Sequence, residues 1–127
     1  MDASAVIELL LNSPAGRRVA SRIVERAPFH APHLLDLEVA SAFRRQAAAG
    51  HVTAEQAALA LAALGGLRLR RHAHGFLLAR VWELRARLTP YDAAYIALAE
   101  ALGVPLVTLD TRLARAGGHQ AEVEVVG

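Results

Sequence analysis

The sequence contains no cysteine and no lysine, and only 5% of its 127 residues are aromatic. Without cysteine the chain has no disulfide, no thiolate nucleophile and no cysteine-ligated zinc site. Without lysine it has neither the lysine of a phosphate-binding P-loop nor a Schiff-base lysine. No apolar run approaches the ~18 residues that a membrane span needs. These absences exclude several enzyme classes and fit a reducing cytoplasm, where we expect this chain to work.

The chain is basic only through arginine. All 14 basic residues are arginine, against 12 acidic residues, and the formal net charge is +2. A chain of 127 residues is expected to form one domain and to bury about two-thirds of its unfolded surface. Arginine binds phosphate through paired hydrogen bonds, but clustered charges also serve as a solvated surface. Composition alone therefore leaves open whether the arginines bind a phosphate-rich partner.

Helical and strand patterns alternate along the sequence. Ser13 followed by Pro14 is a strong helix start, and Thr53 with Gln56 has the spacing of a capping box. Apolar periodicity predicts helices over 13–26, 32–49, 54–64, 76–88, 90–102 and after residue 110, and strands at 27–31, 67–72, 104–110 and 121–126. This alternation predicts a parallel sheet covered by helices on both faces, an α/β/α sandwich, with ligands at the carboxyl ends of its strands.

Three aspartates fall where a helix begins. Asp2 precedes the first helix, Asp110 closes an apolar strand, and Asp92 lies in the first turn of the helix that follows Thr89. Aspartate at a helix N-terminus is stabilised by free backbone amides, typically by ~0.5–2 kcal/mol. Capping alone explains each aspartate, but Asp2 and Asp110 also belong on the sheet edge where ligands bind.

Glu38 is harder to explain as a cap, because it lies inside a helix on the flank of its apolar face. A partly buried carboxylate requires a partner. Arg45, two turns later on the same flank, is one candidate, and a metal ion shared with the aspartates is the other. Mg²⁺ and Mn²⁺ prefer oxygen ligands, so a set of acids without cysteine or histidine suits either ion.

Three stretches of the sequence resemble a known family of enzymes. They are "DASA" (2–5), "LLDLEVASAFRR" (34–45) and "LTPYDAAYIALAEALGVPLVTLD" (88–110). They are similar to PIN-domain ribonucleases, and specifically to the VapC-type toxins of bacterial toxin–antitoxin pairs, over essentially the whole chain. The resemblance implies an endoribonuclease that depends on Mg²⁺ or Mn²⁺ and cuts structured RNA, such as tRNA or rRNA. It also implies a homodimer and a VapB-type antitoxin that neutralises the enzyme.

The acid set of this family carries over residue by residue. The positions that the resemblance makes catalytic residues and metal ligands are Asp2, Glu38, Asp92 and Asp110. The hydroxyls to which it gives a supporting role are Ser4 and Thr108. The candidate contacts to RNA phosphates are Arg44, Arg45, Arg68, Arg70 and Arg71.

The sequence departs from the family at its start, where only Met1 precedes Asp2. Members of the family carry a full strand there, so we expect a first strand that is truncated and a ligand that is held less firmly. Added upstream strand residues are then expected to raise the melting temperature.

Two other hypotheses remain open at this point. One is a non-catalytic PIN-like module that binds RNA or a partner protein through its arginines. The other is an α/β scaffold whose aspartates are helix caps only, which predicts no divalent-ion binding and a modest loss of stability from Asp92→Asn.

Overall fold

The computed structural model describes residues 1–127, in which seven α-helices alternate with four short strands. The helices are α1 Ala3–Leu11, α2 Pro14–Ile23, α3 Leu34–Ala48, α4 Ala54–Leu64, α5 Leu78–Glu83, α6 Pro90–Leu102 and α7 Thr111–Arg115. The strands are β1 Phe29–Pro32, β2 Leu69–His72, β3 Leu106–Thr108 and β4 Val123–Val125. None of these helices has the length and apolar character that crossing a membrane requires.

The strands form two parallel pairs, β1 with β2 and β3 with β4. The segment Met1–Asp2 lies between the pairs and joins them. The amino group of Met1 donates to the carbonyl of His30 in β1 at 3.3 Å, and the Asp2 amide donates to the carbonyl of Val107 in β3 at 3.1 Å. The predicted α/β architecture with parallel strands is therefore confirmed, and Asp2 lies at its centre.

Helix α6 has the longest run of buried residues of any helix. Every residue from Ala93 to Ala99 is buried, and the helix packs against both β1 and β3. Four of those seven residues are alanine, whose small side chains let neighbouring backbones approach closely. A helix that is apolar on all sides is stable only inside a core. Its central position makes α6 a rigid support for the side chains at its N-terminal end.

Local sequence signals fix several helix ends as predicted. Ser13 accepts a hydrogen bond from the Gly16 amide at the start of α2, and Pro14 occupies the first turn. Thr53 and Gln56 form the complete capping box of α4, because each side chain accepts from the other residue's backbone amide. Such pairs satisfy amides that a helix start leaves without partners.

Two predicted boundaries are wrong. Pro32 does not open a helix but ends β1 opposite His72, and α3 begins at Leu34. A helix was predicted over 76–88, but the chain there forms a short 3₁₀ turn, the six-residue α5 and further turns to residue 88. The Leu84 carbonyl accepts hydrogen bonds from the amides of Arg87 and Leu88. These successive turns keep the Leu84 side chain in the core without a continuous helix.

Candidate active site

Asp2 is a buried carboxylate held by uncharged donors. Its side chain is the N-cap of α1 and accepts from the Ala5 amide at 3.2 Å. The hydroxyl of Ser4 donates to its Oδ1 at 2.7 Å, and the hydroxyl of Thr108 donates to its Oδ2 at 2.6 Å. The residue is only 6% exposed. Both carboxylate oxygens are thus fixed without a neutralising cation in hydrogen-bond contact.

The same two hydroxyls connect Asp2 to the end of β3. Thr108 accepts from the Asp110 amide at 2.9 Å, and Ser4 accepts from the Leu109 amide at 3.0 Å. Each hydroxyl therefore donates to the Asp2 carboxylate and accepts from the backbone that leads into α7. This network connects Asp2 to the backbone at Leu109 and Asp110 through Ser4 and Thr108.

Glu38 is held by Tyr95, a residue that the sequence analysis did not place in the site. The Tyr95 hydroxyl donates to Glu38 Oε1 at 2.5 Å, and Tyr95 is only 4% exposed. Arg45, one of the two candidate partners of Glu38, donates instead to the Ser41 hydroxyl at 2.9 Å. A buried tyrosine hydroxyl requires a polar partner, and a tyrosine within the apolar stretch of α6 is the sequence feature that could have identified Tyr95.

The pKa of Glu38 is raised, chiefly because the carboxylate is partly buried. The hydrogen bond from Tyr95 opposes this shift in the pKa, whereas the charges of Asp92 and Asp2 add to it. The carboxylates of α3, α6 and the chain start therefore repel one another.

Asp92 lies in the first turn of α6, where Thr89 is the N-cap and accepts from the Asp92 amide at 3.2 Å. The Asp92 carboxylate does not complete a capping box, because the Thr89 amide does not donate to it as the Thr53 amide donates to Gln56. Burial is the main cause of its raised pKa; nearby Arg112 lowers the pKa, and the charges of Asp110 and Asp2 raise it. The Asp92 carboxylate thus interacts with the other acids as well as with Thr89, the cap of its own helix.

Asp110 is the N-cap of α7 and accepts from the Arg112 amide at 2.9 Å. The Arg112 guanidinium folds back on the same carboxylate, with its Nη2 atom 2.6 Å from Oδ2. This contact is the main cause of the lowered pKa of Asp110. Asp110 is therefore the one member of the acid set that is paired with a cation.

The structure places the four predicted acids toward one edge of the fold: Asp2 before α1, Glu38 in the second turn of α3, Asp92 in the first turn of α6 and Asp110 at the start of α7. As they stand, no three Asp, Glu or His side chains are close enough together to hold one ion directly. Their chemistry still fits a hard divalent cation, since Mg²⁺ takes one or two carboxylates and keeps several waters. Burial is the main cause of the raised pKa values of Glu38 and Asp92, and the charges of neighbouring acids add to both.

Among the five predicted RNA-binding arginines, Arg45 lies beside the acids. It lines an open cleft on α3 together with Glu38, Ser41 and Tyr91. Arg44 precedes it on the same helix and is exposed.

The arginines of β2 are placed differently. Arg71 is bound by both carboxylate oxygens of Asp36, at 2.7 and 2.9 Å, and so ties β2 to α3. Arg68 precedes the first residue of β2, at the edge opposite the carboxyl ends of the strands, and Arg70 is exposed within the strand. The structure therefore brings neither Arg68 nor Arg71 to the acid edge as a free cation.

Several known proteins are similar in sequence to this chain over nearly its full length. A family model described as PIN domain matches residues 1–119. Ribonuclease VapC1 of Mycobacterium tuberculosis is 42% identical over 127 residues, which cover 99% of this chain and 96% of that protein. Ribonuclease VapC12 of the same organism is 40% identical over 126 residues, covering 99% and 97%. Ribonuclease VapC9 is 42% identical over 126 residues, covering 99% and 96%. The chain therefore belongs to the PIN domain family, and within it is a relative of the VapC ribonucleases.

Proposed function

We propose that this chain is a divalent-metal-dependent endoribonuclease of the toxin type, in which Asp2, Glu38, Asp92 and Asp110 form the catalytic site. The observation that carries the proposal is how the acids are held. Hydroxyl groups fix Asp2 and Glu38, and these donors orient a carboxylate without cancelling its charge. Asp36, which lies outside the acid set, is paired instead with Arg71, an arginine of another element. Within the acid set only Asp110 has an arginine partner, the exposed Arg112.

The acid set would hold Mg²⁺ or Mn²⁺, which activates water and stabilises the leaving oxygen of a phosphodiester. The chain's own residues supply position and charge. Ser4 and Thr108 keep the Asp2 oxygens in one orientation, and Tyr95 does the same for Glu38. Since the chain has no cysteine and no lysine, hydrolysis without a covalent enzyme intermediate on either residue is the chemistry that fits.

The proposed substrate is a structured RNA, either tRNA or rRNA. Arg45 lies in the cleft beside Glu38, where its guanidinium can contact a backbone phosphate without reading sequence. Arg44, the preceding residue of α3, is also exposed and extends the basic surface.

The proposed partners are a VapB-type antitoxin and a second copy of the chain. An apolar groove, lined by Leu34, His74, Leu78, Val81, Pro90, Tyr91 and Ala94, adjoins the acid edge through Tyr91. Phe76, Leu78, Trp82 and Tyr91 are each more than 60% exposed, and a patch of this kind marks an interaction surface. No carboxylate lines the groove, so in the proposed dimer the grooves of two copies would face each other without repulsion between acids. A substrate and partners of this kind place the reaction in the cytoplasm.

The experiment that tests the proposal is cleavage of total bacterial tRNA by the purified chain with Mn²⁺. Discrete fragments are expected from the wild type and from Glu55→Gln, an exposed acid in α4 that serves as the matched control. EDTA and Asp92→Asn are each expected to abolish the fragments. RNA binding without cleavage in every sample would instead support the non-catalytic binding module.

A further inference from the structure

Arg112 is the cation nearest the acid edge, and neither the family resemblance nor the arginine clusters point to it. Its Nη2 lies 2.6 Å from Asp110 Oδ2, and its Nε lies 3.1 and 3.2 Å from the two carboxylate oxygens. The charge of Arg112 also acts on Asp92. One guanidinium therefore contacts Asp110, and its charge also lowers the pKa of Asp92.

The contact between Arg112 and Asp110 does not stabilise the architecture in any evident way. The two residues are two positions apart in the sequence, so the pair joins no separate elements. The Arg112 side chain is 82% exposed, whereas the side chains of Arg71 and Arg80 are 27% and 33% exposed. Those two arginines connect elements that are distant in the chain, Arg71 through Asp36 and Arg80 through Glu100. An exposed pair of the Arg112 type contributes little to folding.

Only Asp110 accepts hydrogen bonds from the Arg112 guanidinium, and solvent covers most of the side chain, so loss of that one contact releases it. A divalent cation at the acid edge competes with the guanidinium for the same Asp110 oxygens. The released guanidinium then lies at the mouth of the site, and its planar fork matches the geometry of a phosphate.

We propose that Arg112 is a phosphate-contacting residue of the RNA site, which alternates between the Asp110 carboxylate in the free protein and an RNA phosphate in the complex. This inference rests on the proposed function and adds a substrate contact to it. The free protein keeps Asp110 neutralised, and binding of the cation makes the arginine available for RNA.

The test compares Arg112→Gln with Arg115→Gln, which removes an exposed arginine from the same helix and serves as the matched control. Two equilibrium measurements are made on each protein. One is the affinity for Mn²⁺ without RNA, by calorimetry. The other is the affinity for a labelled tRNA with Ca²⁺ present, by fluorescence anisotropy, with the RNA checked to be intact afterwards.

Arg112→Gln is expected to bind Mn²⁺ about two- to fivefold more tightly than the wild type, because an exposed competing pair is lost. It is expected to bind tRNA roughly tenfold more weakly, because a charge-assisted phosphate contact is lost. Arg112→Lys keeps the charge without the planar fork and is expected to recover part of the RNA affinity. Arg115→Gln is expected to leave the Mn²⁺ affinity unchanged and to alter the RNA affinity by about twofold at most.

Equal RNA affinities for Arg112→Gln and Arg115→Gln would overturn the phosphate contact, and weaker Mn²⁺ binding by Arg112→Gln would overturn the competition. Both results leave the proposed nuclease intact as long as the wild type binds Mn²⁺ and cuts RNA. A wild type that binds no Mn²⁺ would instead reject the proposed function, and this inference with it.

Discussion

At the scale of single residues, Tyr95 decides whether Glu38 is held in place. Replacing it with Phe removes the hydroxyl and leaves a partly buried carboxylate without its donor. Hydrogen bonds to charged groups contribute about 1.5–3 kcal/mol, so Tyr95→Phe is expected to lower the free energy of unfolding by roughly this amount. Tyr91→Phe, at a 63% exposed position, is the control. Equal stability of the two variants in urea would contradict the role given to Tyr95.

Asp92→Asn is expected to raise the free energy of unfolding, unlike Tyr95→Phe, because the Asp92 charge is unfavourable in the folded chain. Folding raises the pKa of Asp92, so ionisation of this carboxyl lowers the free energy of unfolding. The loss of stability is complete above the folded pKa and disappears at pH values below the usual pKa of 3.8. Asp92→Asn should therefore stabilise the chain at pH 7 by about 0.5–2 kcal/mol, the range that relief of surface repulsion commonly yields. The advantage should shrink as the pH falls.

Melting curves of Asp92→Asn and the wild type at several pH values check this expectation. A variant that melts lower at neutral pH would mean that Asp92 acts chiefly as a helix cap, as the caps-only hypothesis requires.

The acid site also shows what single residues in a sequence do and do not reveal. Asp2, Asp92 and Asp110 stand out because each begins a helix, and the structure places them there. Tyr95 was hidden because its apolar neighbours made it look like an ordinary core residue. Helix spacing made Arg45 a candidate partner for Glu38, but Tyr95, a residue on another helix, supplies the hydrogen-bond donor.

At the scale of elements, the α1–α2 hairpin brings the chain back toward the start of β1 after Asp2. Gly16 in α2 packs directly on α1, and a Cβ at that position would overlap the backbone carbonyl of Glu8. Gly16→Ala must therefore push the helices apart. We expect a loss of about 1–3 kcal/mol, the cost of overpacking in a well-packed core.

The matched control for that substitution is Gly75→Ala, because a Cβ there has open space around it. Chemical denaturation of both variants measures the difference. A Gly16→Ala variant as stable as Gly75→Ala would show that the two helices do not pack as closely as described.

Helices with strong local signals were predictable, and those without them were not. The capping residues of α2 and α4 act within a few positions, so sequence alone defines where these helices begin. The region 76–88 has the periodicity of an amphipathic helix, but turns interrupt the helix. A continuous helix and a series of turns both bury Leu84, so the periodicity does not distinguish between them. The pairing of β1 with β2 joins residues about forty positions apart, and periodicity carries no information about such partners.

At the scale of the whole molecule, the site exists because the fold joins distant parts of the chain. Asp2 and Thr108 are 106 positions apart and share a hydrogen bond of 2.6 Å. Glu38 and Tyr95 are 57 positions apart. The parallel arrangement of strands made a shared edge predictable, but the hydroxyl network that organises the acids depends on side-chain geometry that a sequence does not display.

The central claim is that this edge binds a divalent cation through its carboxylates, and calorimetric titration of Mn²⁺ tests it most directly. The wild type and Glu55→Gln are expected to bind Mn²⁺ with equal affinity, because Glu55 lies in α4, outside the acid set. Asp92→Asn is expected to bind it at least about tenfold more weakly, since changes even to groups that support a ligand have effects of this size. Absence of binding by the wild type, or equal affinity in Asp92→Asn, would contradict the account.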